Sequence, residues 1–305
     1  MQKPEIIFLV GPTSVGKTLA AVNLAKKINA EIISCDSMQI YKGMDILTSK
    51  PPAGLRKKVK HHLINMVSPT KEYNVARFRK DALGKIKEII KKGKTPLFVG
   101  GTGLYMSILL DGIFKTRTEN KTIRKKLYQE AESKGSSYLY KRLKEVDPQA
   151  AKKIHPNDTR RIVRALEVFE VTGKTISQLQ RERRGLNDEY AVKIFCLNME
   201  RQKLYSRIEQ RIDKMFKQGV LAEVRKLLRL KLSKTARYAI GINELRGYFN
   251  GLYDLAEAKC LMKKNTRNYA KRQLTWFRKD KRIEWIVVGK KENPASVAKR
   301  IYKML

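Results

Sequence analysis

The sequence predicts an α/β protein: a parallel sheet flanked by helices, with an all-helical domain inserted into it. Short apolar runs typical of buried strands alternate with longer segments whose apolar residues recur every three to four positions. Strands that alternate with helices form right-handed βαβ units in which the strands run parallel. The middle segment, 117–190, is rich in Lys, Arg and Glu and has helical periodicity without a strand pattern, which predicts the insertion.

The first strand is expected at Ile6–Val10, where an apolar run ends in a glycine-rich turn. A helix at Leu19–Ile28 and a strand at Glu31–Ser34 follow. The segment Tyr73–Lys92 is amphipathic and predicts a second helix, which Gly93 ends. A third strand is expected at Pro96–Val99.

After the insertion, strands are expected at Lys193–Leu197 and Arg282–Val288, with helical runs at 200–230 and 254–278. The sequence therefore predicts a core formed by 1–116 and 191–305, and a helical domain at 117–190.

The composition is strongly basic: 305 residues carry 67 Lys+Arg against 29 Asp+Glu, a formal net charge of +38. Such a charge favours a polyanionic partner, either nucleic acid, anionic lipid or a phosphorylated substrate. The hydrophobic fraction of 42% is enough for a folded core. With no apolar run of about 18 residues we expect no membrane span, and with no signal-peptide pattern and three scattered cysteines we expect a reduced, cytoplasmic protein.

A phosphate-binding loop follows the first expected strand. Its sequence fits G-x-x-x-x-G-K-[ST] between a strand and a helix, the context that the P-loop motif requires. Its backbone N–H groups and helix N-terminus favour phosphate, the lysine adds a charge, and the Thr18 hydroxyl is a ligand for Mg²⁺. The motif predicts binding of a di- or triphosphate, and hence a P-loop NTPase-like sheet, through Gly11, Pro12, Thr13, Ser14, Val15, Gly16, Lys17 and Thr18.

Nucleotide hydrolysis would require an acidic residue at the end of another strand to hold Mg²⁺. The strand Pro96–Val99 ends in glycines and Thr102, without an acid, so the candidate is Asp36, directly after the second strand. Its carboxylate could bind metal, act as a base on a substrate, or simply be a solvated turn residue.

Five strings spread in order over nearly the whole chain resemble signatures of the tRNA dimethylallyltransferases (tRNA isopentenyltransferases) in their bacterial form. They are Asp36–Pro51, His61–Ile64, Gly100–Tyr105, His155–Asp158 followed by Arg160–Glu167, and Tyr269–Arg278. The resemblance implies transfer of a dimethylallyl group from dimethylallyl diphosphate to the exocyclic amine of the adenosine 3′-adjacent to the anticodon. It also implies that the loop holds this diphosphate, and that ATP is not consumed.

The chemistry of that transfer is compatible with the residues. A group that accepts or orients the amine proton would help, and Asp36 is the candidate. The leaving diphosphate needs N–H groups, Lys17, Mg²⁺ bound at Thr18, and an arginine. The resemblance points to Arg211 for the arginine, with Arg207 and Arg225 as rivals.

An anticodon-loop base that enters a protein site must leave its stack. By resemblance, Asp36, Ser37, Met38, Gln39 and Thr102 line the pocket for that adenosine, and the insertion grips the anticodon stem. Further tRNA contacts are expected at Arg124, Arg160, Arg161, Arg164, Arg237, Lys271, Arg272, Gln273 and Arg278.

Two surface patterns favour a phosphate partner independently. Cations in the first turn of a helix oppose its dipole, and Arg160–Arg164 follow an Asn-Asp helix start. In the helix at 254–278, Lys263, Arg267 and Lys271 form one basic stripe, and we expect the neighbouring Trp276 to dock on the core.

Two other functions are compatible with the loop: a kinase of a small metabolite, and a nucleic-acid-dependent NTPase. The +38 charge argues against the first, and the absence of further helicase-type motifs argues against the second. The sequence departs from the residues usual in this family at two places. One is Ser14-Val15, and the other is Ile242, a position where an aromatic residue is frequent. We expect a monomer with tRNA and dimethylallyl diphosphate as its partners.

Overall fold

The computed structural model describes residues 3–114, 119–289 and 291–305. The strands are β1 (Glu5–Val10), β2 (Ala30–Cys35), β3 (His61–His62), β4 (Thr95–Gly100), β5 (Ala191–Asn198) and β6 (Ile283–Val287). The helices are α1 (Lys17–Lys27), α2 (Ala53–Lys58), α3 (Val75–Lys91), α4 (Gly103–Asp111), α5 (Lys121–Lys134), α6 (Ser136–Val146), α7 (Pro148–Ala151), α8 (Thr159–Thr172), α9 (Ile176–Arg181), α10 (Arg201–Lys217), α11 (Val220–Leu228), α12 (Ile242–Phe249), α13 (Leu255–Phe277) and α14 (Pro294–Tyr302).

The chain forms two compact units, one made of Met1–Leu110 with Glu189–Leu305 and one made of Asp111–Asp188. The expected domain junction at 116/117 lies outside the described residues. The second unit, as far as it is described, holds α5–α9 and a short 3₁₀ turn. Its own core is built around Leu127, Leu139, Leu143, Ile162 and Leu166, all fully buried.

The first unit contains one six-stranded sheet in the order β3-β2-β4-β1-β5-β6. All neighbouring strands pair in parallel, which confirms the predicted α/β class. The residues Ile6–Val10 are at most 1% exposed, because a central parallel strand is covered on both faces and reads as a continuous apolar run. Phe8 and Phe98 stack across β1 and β4 with ring centroids 4.6 Å apart.

The register brings three strand ends level with one another. Val10 of β1 and Cys35 of β2 both pair with Gly100 of β4. The turns that follow these strands therefore meet at one edge of the sheet, where open α/β sheets bind their ligands. These turns are the phosphate loop, the segment that starts at Asp36, and the turn at Gly101.

Several elements differ from expectation for identifiable reasons. The amphipathic helix begins at Val75 because the Asn74 side chain caps it by accepting from the N–H of Arg77 at 2.9 Å. The helical run at 200–230 is two helices, separated at Gly219 with a φ of 94°. Helix α4 was not predicted, because it is apolar nearly all round and lacks a helical stripe. Across the ranges that the structure covers, no helix combines the length and apolarity that crossing a membrane requires.

Candidate active site

The phosphate loop connects β1 to α1 and curls back on itself. Gly16 has a φ of 105°, in the left-handed region that glycine adopts without strain. The Nζ atom of Lys17 donates hydrogen bonds to the carbonyl oxygens of Gly11, at 2.9 Å, and Pro12, at 2.7 Å. The Ser14 hydroxyl is buried and, within the described part of the chain, finds no hydrogen-bond partner.

The charge on Lys17 is held in a buried position. Burial lowers the pKa of Lys17 from 10.5 to about 8, with Asp36 acting in the opposite direction and Arg211 in the same direction. The ammonium therefore stays largely protonated at neutral pH, at a cost in free energy that a bound anion would offset.

Two arginines of α10, one helical turn apart, contact the phosphate loop. Nη1 of Arg211 donates to Oγ1 of Thr13 at 2.9 Å, and Nη1 of Arg207 donates to the carbonyl of Val15 at 3.4 Å. Burial lowers the pKa of Arg211 as well. The third rival, Arg225, lies over the ring of Phe249 at 4.9 Å, so the structure places Arg211 and Arg207, and not Arg225, at the loop.

Asp36 directly follows β2 and starts a tight turn. Its Oδ1 accepts hydrogen bonds from the backbone N–H groups of Met38, at 2.9 Å, and Gln39, at 3.4 Å. Its Oδ2 makes no hydrogen bond with the described residues, and the carboxylate interacts electrostatically with Lys17 and Arg211. One oxygen thus fixes the turn while the other remains able to meet a substrate or an ion.

Thr102 touches this turn from the neighbouring strand end. Its Oγ1 accepts from the N–H of Ser37 at 3.1 Å, and its own N–H donates to the carbonyl of Cys35 at 3.2 Å. Tyr269, on α13, lies near Thr102 and Asp36, and its phenol interacts with both. Burial raises the pKa of Tyr269. We did not single out Tyr269 from the sequence, because a tyrosine in an amphipathic helix is more often a core residue.

Gln273 lies between two of these turns. Its Oε1 accepts from the N–H of Thr13 at 2.9 Å, and its Nε2 donates to the carbonyl of Gly101 at 2.9 Å. The residue is only 6% exposed. The tRNA contact expected for Gln273 does not fit these surroundings, because both ends of the amide are engaged by backbone groups.

A single cavity of about 1380 Å³ collects most of these groups, whereas Thr102, expected to line the pocket, is not part of its lining. Its polar lining includes Ser14, Lys17, Thr18, Asp36, Ser37, Gln39, Arg207, Arg211, Tyr269, Arg272 and Gln273. The cavity also has buried apolar side chains in its wall, namely Leu47, Ile212, Met215 and Met262, which are at most 5% exposed. Cations, a carboxylate and a hydrocarbon surface therefore share one site.

One wall of the cavity, formed by residues 45–52, is held in place by the partly buried Glu223 and the buried Lys50. Both oxygens of Glu223, on α11, accept hydrogen bonds from the N–H groups of Asp45, Ile46 and Leu47, at 2.8 to 2.9 Å. The ammonium of Lys50 donates to Asp45 at 2.9 Å and also to the carbonyl of Tyr41 and to Asn65. No local pattern in the sequence indicates that Glu223 contacts this loop, which lies far upstream.

Three of the four arginines expected to contact tRNA from the second unit have partners inside that unit. Arg124 and Arg164 both donate to the fully buried carboxylate of Glu167, at 2.9 and 2.8 Å. Arg161 pairs with Asp158 at 3.2 Å. Asp158 also caps α8, which offsets the unfavourable position of the cations that had suggested a phosphate. Arg160 is exposed, and its contact with tRNA stays a prediction.

Two members of the basic stripe on α13 are paired with α10. Lys263 contacts Asp213 at 2.9 Å and Arg267 contacts Glu209 at 2.8 Å, so two of the three cations are engaged within the protein, and a phosphate contact along the whole stripe stays a prediction. Lys271, Arg272, Arg278 and Arg237 are exposed. Trp276 is 38% exposed, with its ring against the backbone of Gly103.

The departure at Ile242 has a structural counterpart. Ile242 is fully buried at the start of α12, whereas Tyr238 is 74% exposed and borders the cavity. The exposed aromatic ring of this segment thus lies beside Arg237.

The site has few groups for a metal ion. Among the described residues, no three His, Cys, Asp or Glu side chains cluster as a metal site. Thr18 and Asp36 both line the cavity. This pair suits Mg²⁺, which typically uses one or two protein oxygens together with substrate phosphates and water.

Comparisons with known proteins agree with this arrangement. The sequence model of the IPP transferase family matches residues 39–280, and that of isopentenyl transferases matches residues 4–65. The chain is 48% identical over 288 residues to the tRNA dimethylallyltransferase of Carboxydothermus hydrogenoformans, covering 94% of this chain and 93% of the relative. It is 47% identical to that of Thermoanaerobacter pseudethanolicus, covering 99% and 97%.

Solved structures show the same relationship. The tRNA isopentenylpyrophosphate transferase of Bacillus halodurans superimposes with a TM-score of 0.72 at 37% identity, covering 99% of this chain and 96% of that one. A eukaryotic dimethylallyltransferase acting on tRNA superimposes with a TM-score of 0.76 at 31% identity, covering 93% and 74%. Since the matches extend over nearly the whole chain and the phosphate loop, Asp36 and Arg211 meet in one cavity, the protein belongs to the IPP transferase family, the tRNA dimethylallyltransferases.

Proposed function

We propose that the protein transfers a dimethylallyl group from dimethylallyl diphosphate to the exocyclic amine of the adenosine 3′-adjacent to the anticodon in tRNA, giving isopentenyladenosine and diphosphate. The observation that carries the proposal is the meeting of Lys17, Arg211 and Asp36 in one cavity that also has an apolar wall. This combination suits a donor that has an anionic and a hydrocarbon end.

The phosphate loop is the proposed seat of the diphosphate. Its N–H groups, Lys17 and the guanidiniums of Arg211 and Arg207 offer positive charge where charge develops as the leaving group departs. The buried Ser14 hydroxyl supports this assignment, because a phosphate oxygen would provide the partner that the described residues do not. The five-carbon group would lie against apolar side chains such as Leu47, Met215 and Met262.

The reaction forms a bond between the adenosine amine nitrogen and C1 of the dimethylallyl group. It breaks the bond from C1 to the diphosphate oxygen, whose electron pair leaves with the diphosphate. The amine proton is lost, and Asp36 is the group proposed to orient the amine and receive that proton. Ser37 and Gln39 line the adjoining surface, and Thr102 supports the turn.

We propose Mg²⁺ as the cofactor, held by the Thr18 hydroxyl and the donor's phosphates, with Asp36 within the same cavity. When bound, the ion neutralises charge on the leaving diphosphate.

Every group used in the proposed reaction comes from one chain, so a monomer suffices for the reaction. Light scattering of the protein with and without tRNA measures the oligomeric state.

The decisive assay incubates the protein and Mg²⁺ with unmodified tRNA and labelled dimethylallyl diphosphate, and in parallel with labelled ATP. We expect label on tRNA from the first donor only. A tRNA with guanosine in place of the adenosine next to the anticodon is the matched control and should stay unlabelled. ATP turnover without prenylation would contradict the proposal and favour a kinase or NTPase.

A further inference from the structure

We infer that Gln273 is a positioning residue for the transfer: its side chain fixes the distance between the phosphate loop and the turn that supports the acceptor pocket. The inference rests on the proposed function. Gln273 lies on α13, and neither of its two hydrogen bonds is to a neighbour in the sequence.

The two bonds reach the two halves of the site. On the donor side, the N–H of Thr13 donates to Gln273, while the Thr13 hydroxyl accepts from Arg211. On the acceptor side, the carbonyl of Gly101 accepts from Gln273, and the next residue, Thr102, accepts from the N–H of Ser37. The carboxamide of Gln273 therefore connects the phosphate loop, which Arg211 contacts, to the turn beside Asp36.

The packing leaves little room for the two turns to move. A Cβ built on Gly101 would lie 2.1 Å from Nε2 of Gln273 and 3.2 Å from the carbonyl oxygen of Gly11. The backbone of the second turn thus approaches both the side chain and the phosphate loop closely, which only glycine allows at 101.

The chemistry of the contact selects an amide. One partner is an N–H group and the other a carbonyl, so the side chain must accept and donate at once. A glutamate of the same length would present two acceptors when ionised, and its anion would repel the Gly101 carbonyl. A methionine would fill the space without either bond.

A positioning role makes a distinctive kinetic prediction. A displacement of about 1 Å between reacting groups costs up to about 100-fold in rate, whereas each substrate alone still meets its own half of the site. For Gln273→Met we therefore expect kcat per folded molecule to fall about 10- to 100-fold. The dissociation constants of the donor alone and of tRNA alone should change less than about threefold, a difference of under about 0.7 kcal/mol.

Gln273→Glu keeps the length of the side chain but, when ionised, has no donor for the Gly101 carbonyl. Its kcat per folded molecule should therefore fall at least as far as that of Gln273→Met. Gln202→Met, an exposed position on α10, is the matched control and should keep wild-type kinetics and melting temperature.

The outcomes separate cleanly. If wild-type protein transfers no label to tRNA, the proposed function fails. If the wild type is active, unchanged turnover per folded molecule for Gln273→Met overturns the positioning role, as does wild-type turnover by Gln273→Glu. A kcat loss accompanied by an equal loss of donor affinity would also overturn it, because Gln273 would then act on the phosphate loop alone.

Discussion

Nη1 of Arg211 donates a hydrogen bond to Oγ1 of Thr13 over 2.9 Å, which ties the middle of α10 to the phosphate loop. A guanidinium in this position is held ready at the proposed diphosphate site before the donor arrives. Such preorganised charge acts on the transition state without further reorganisation.

Arg211→Gln should therefore lower kcat by about 100- to 1000-fold, with a smaller change in the KM for the donor. Arg207→Gln, one turn away on the same helix, removes a longer contact to a carbonyl and should cost less. Steady-state prenylation of tRNA by the two variants measures this. Equal losses for both would mean that the two guanidiniums act as one cluster.

Lys17 should reduce the stability of the free protein. Its pKa in the fold, about 8, lies below the unfolded value of 10.5, so keeping it charged at pH 7 costs up to about 3 kcal/mol at 1.36 kcal/mol per pKa unit. That cost is full below about pH 8 and disappears as the pH rises past 10.5. Lys17→Met should raise the melting temperature at pH 7 and abolish donor binding, and the gain should shrink at alkaline pH.

Donor binding should weaken with pH for the same reason. The ammonium that attracts the diphosphate loses its proton around pH 8, where phosphates, with a second pKa near about 6, are already fully ionised. Calorimetric titration of dimethylallyl diphosphate between pH 7 and pH 9.5 should show the dissociation constant rising. A dissociation constant that stays constant over this range would argue against a role for Lys17 in binding.

The substitution Asp36→Asn removes the negative charge of this side chain but keeps its shape. The amide oxygen still accepts from the N–H groups of Met38 and Gln39 and keeps the turn, but it neither takes up a proton nor binds an ion well. We expect kcat to fall about 100- to 10,000-fold, with tRNA affinity nearly unchanged. Unaltered turnover would remove Asp36 from the mechanism.

Glu167 should stabilise the second unit at neutral pH. Burial alone would raise the pKa of this carboxyl, but hydrogen bonds from Arg124, Arg164 and the N–H of Asn120 hold it below 4.5. Its contribution is complete above the unfolded pKa of 4.5 and is lost as the pH falls through the lower folded value. Glu167→Gln should cost about 1–3 kcal/mol at pH 7.

Hydrogen exchange of α5 and α8 measures this loss, because both tryptophans, Trp276 and Trp285, lie in the other unit and do not report on it. Glu170→Gln is the control, since Glu170 is partly exposed and, among the described residues, pairs only with Arg142. Its effect should stay under about 1 kcal/mol.

Binding of tRNA should weaken steeply with salt, since neutralised phosphates release counterions. Arg160→Gln should reduce the slope of log affinity against log salt by about 1, because this exposed side chain has no hydrogen-bond or ion-pair partner among the described residues to lose. Arg124→Gln should instead act mainly through stability, by removing one of the two guanidiniums that pair with Glu167. Identical slopes for wild type and Arg160→Gln would exclude Arg160 from the phosphate contacts.

The sequence was enough to locate the phosphate loop and Asp36, because a P-loop motif and an acid after a parallel strand have fixed local contexts. It could not decide which of Arg207, Arg211 and Arg225 contacts the phosphate loop, since all three lie on helices of similar composition. Only the packing of α10 brings Arg207 and Arg211 to the loop. It also overestimated the free charge of α13. The acids that pair with Lys263 and Arg267 lie 50 and 58 positions upstream on another helix, and no local pattern reveals them.

The bond between Thr13 and Gln273 joins residues 260 positions apart. A ribosome that adds about 5–20 residues per second reaches Gln273 roughly 10–50 s after Thr13. During that interval the growing chain already has its phosphate loop but lacks the helices that hold it in register with the acceptor side. A chain that has not yet reached α13 therefore has the motif without the assembled site, and competence for transfer requires that this helix has been made.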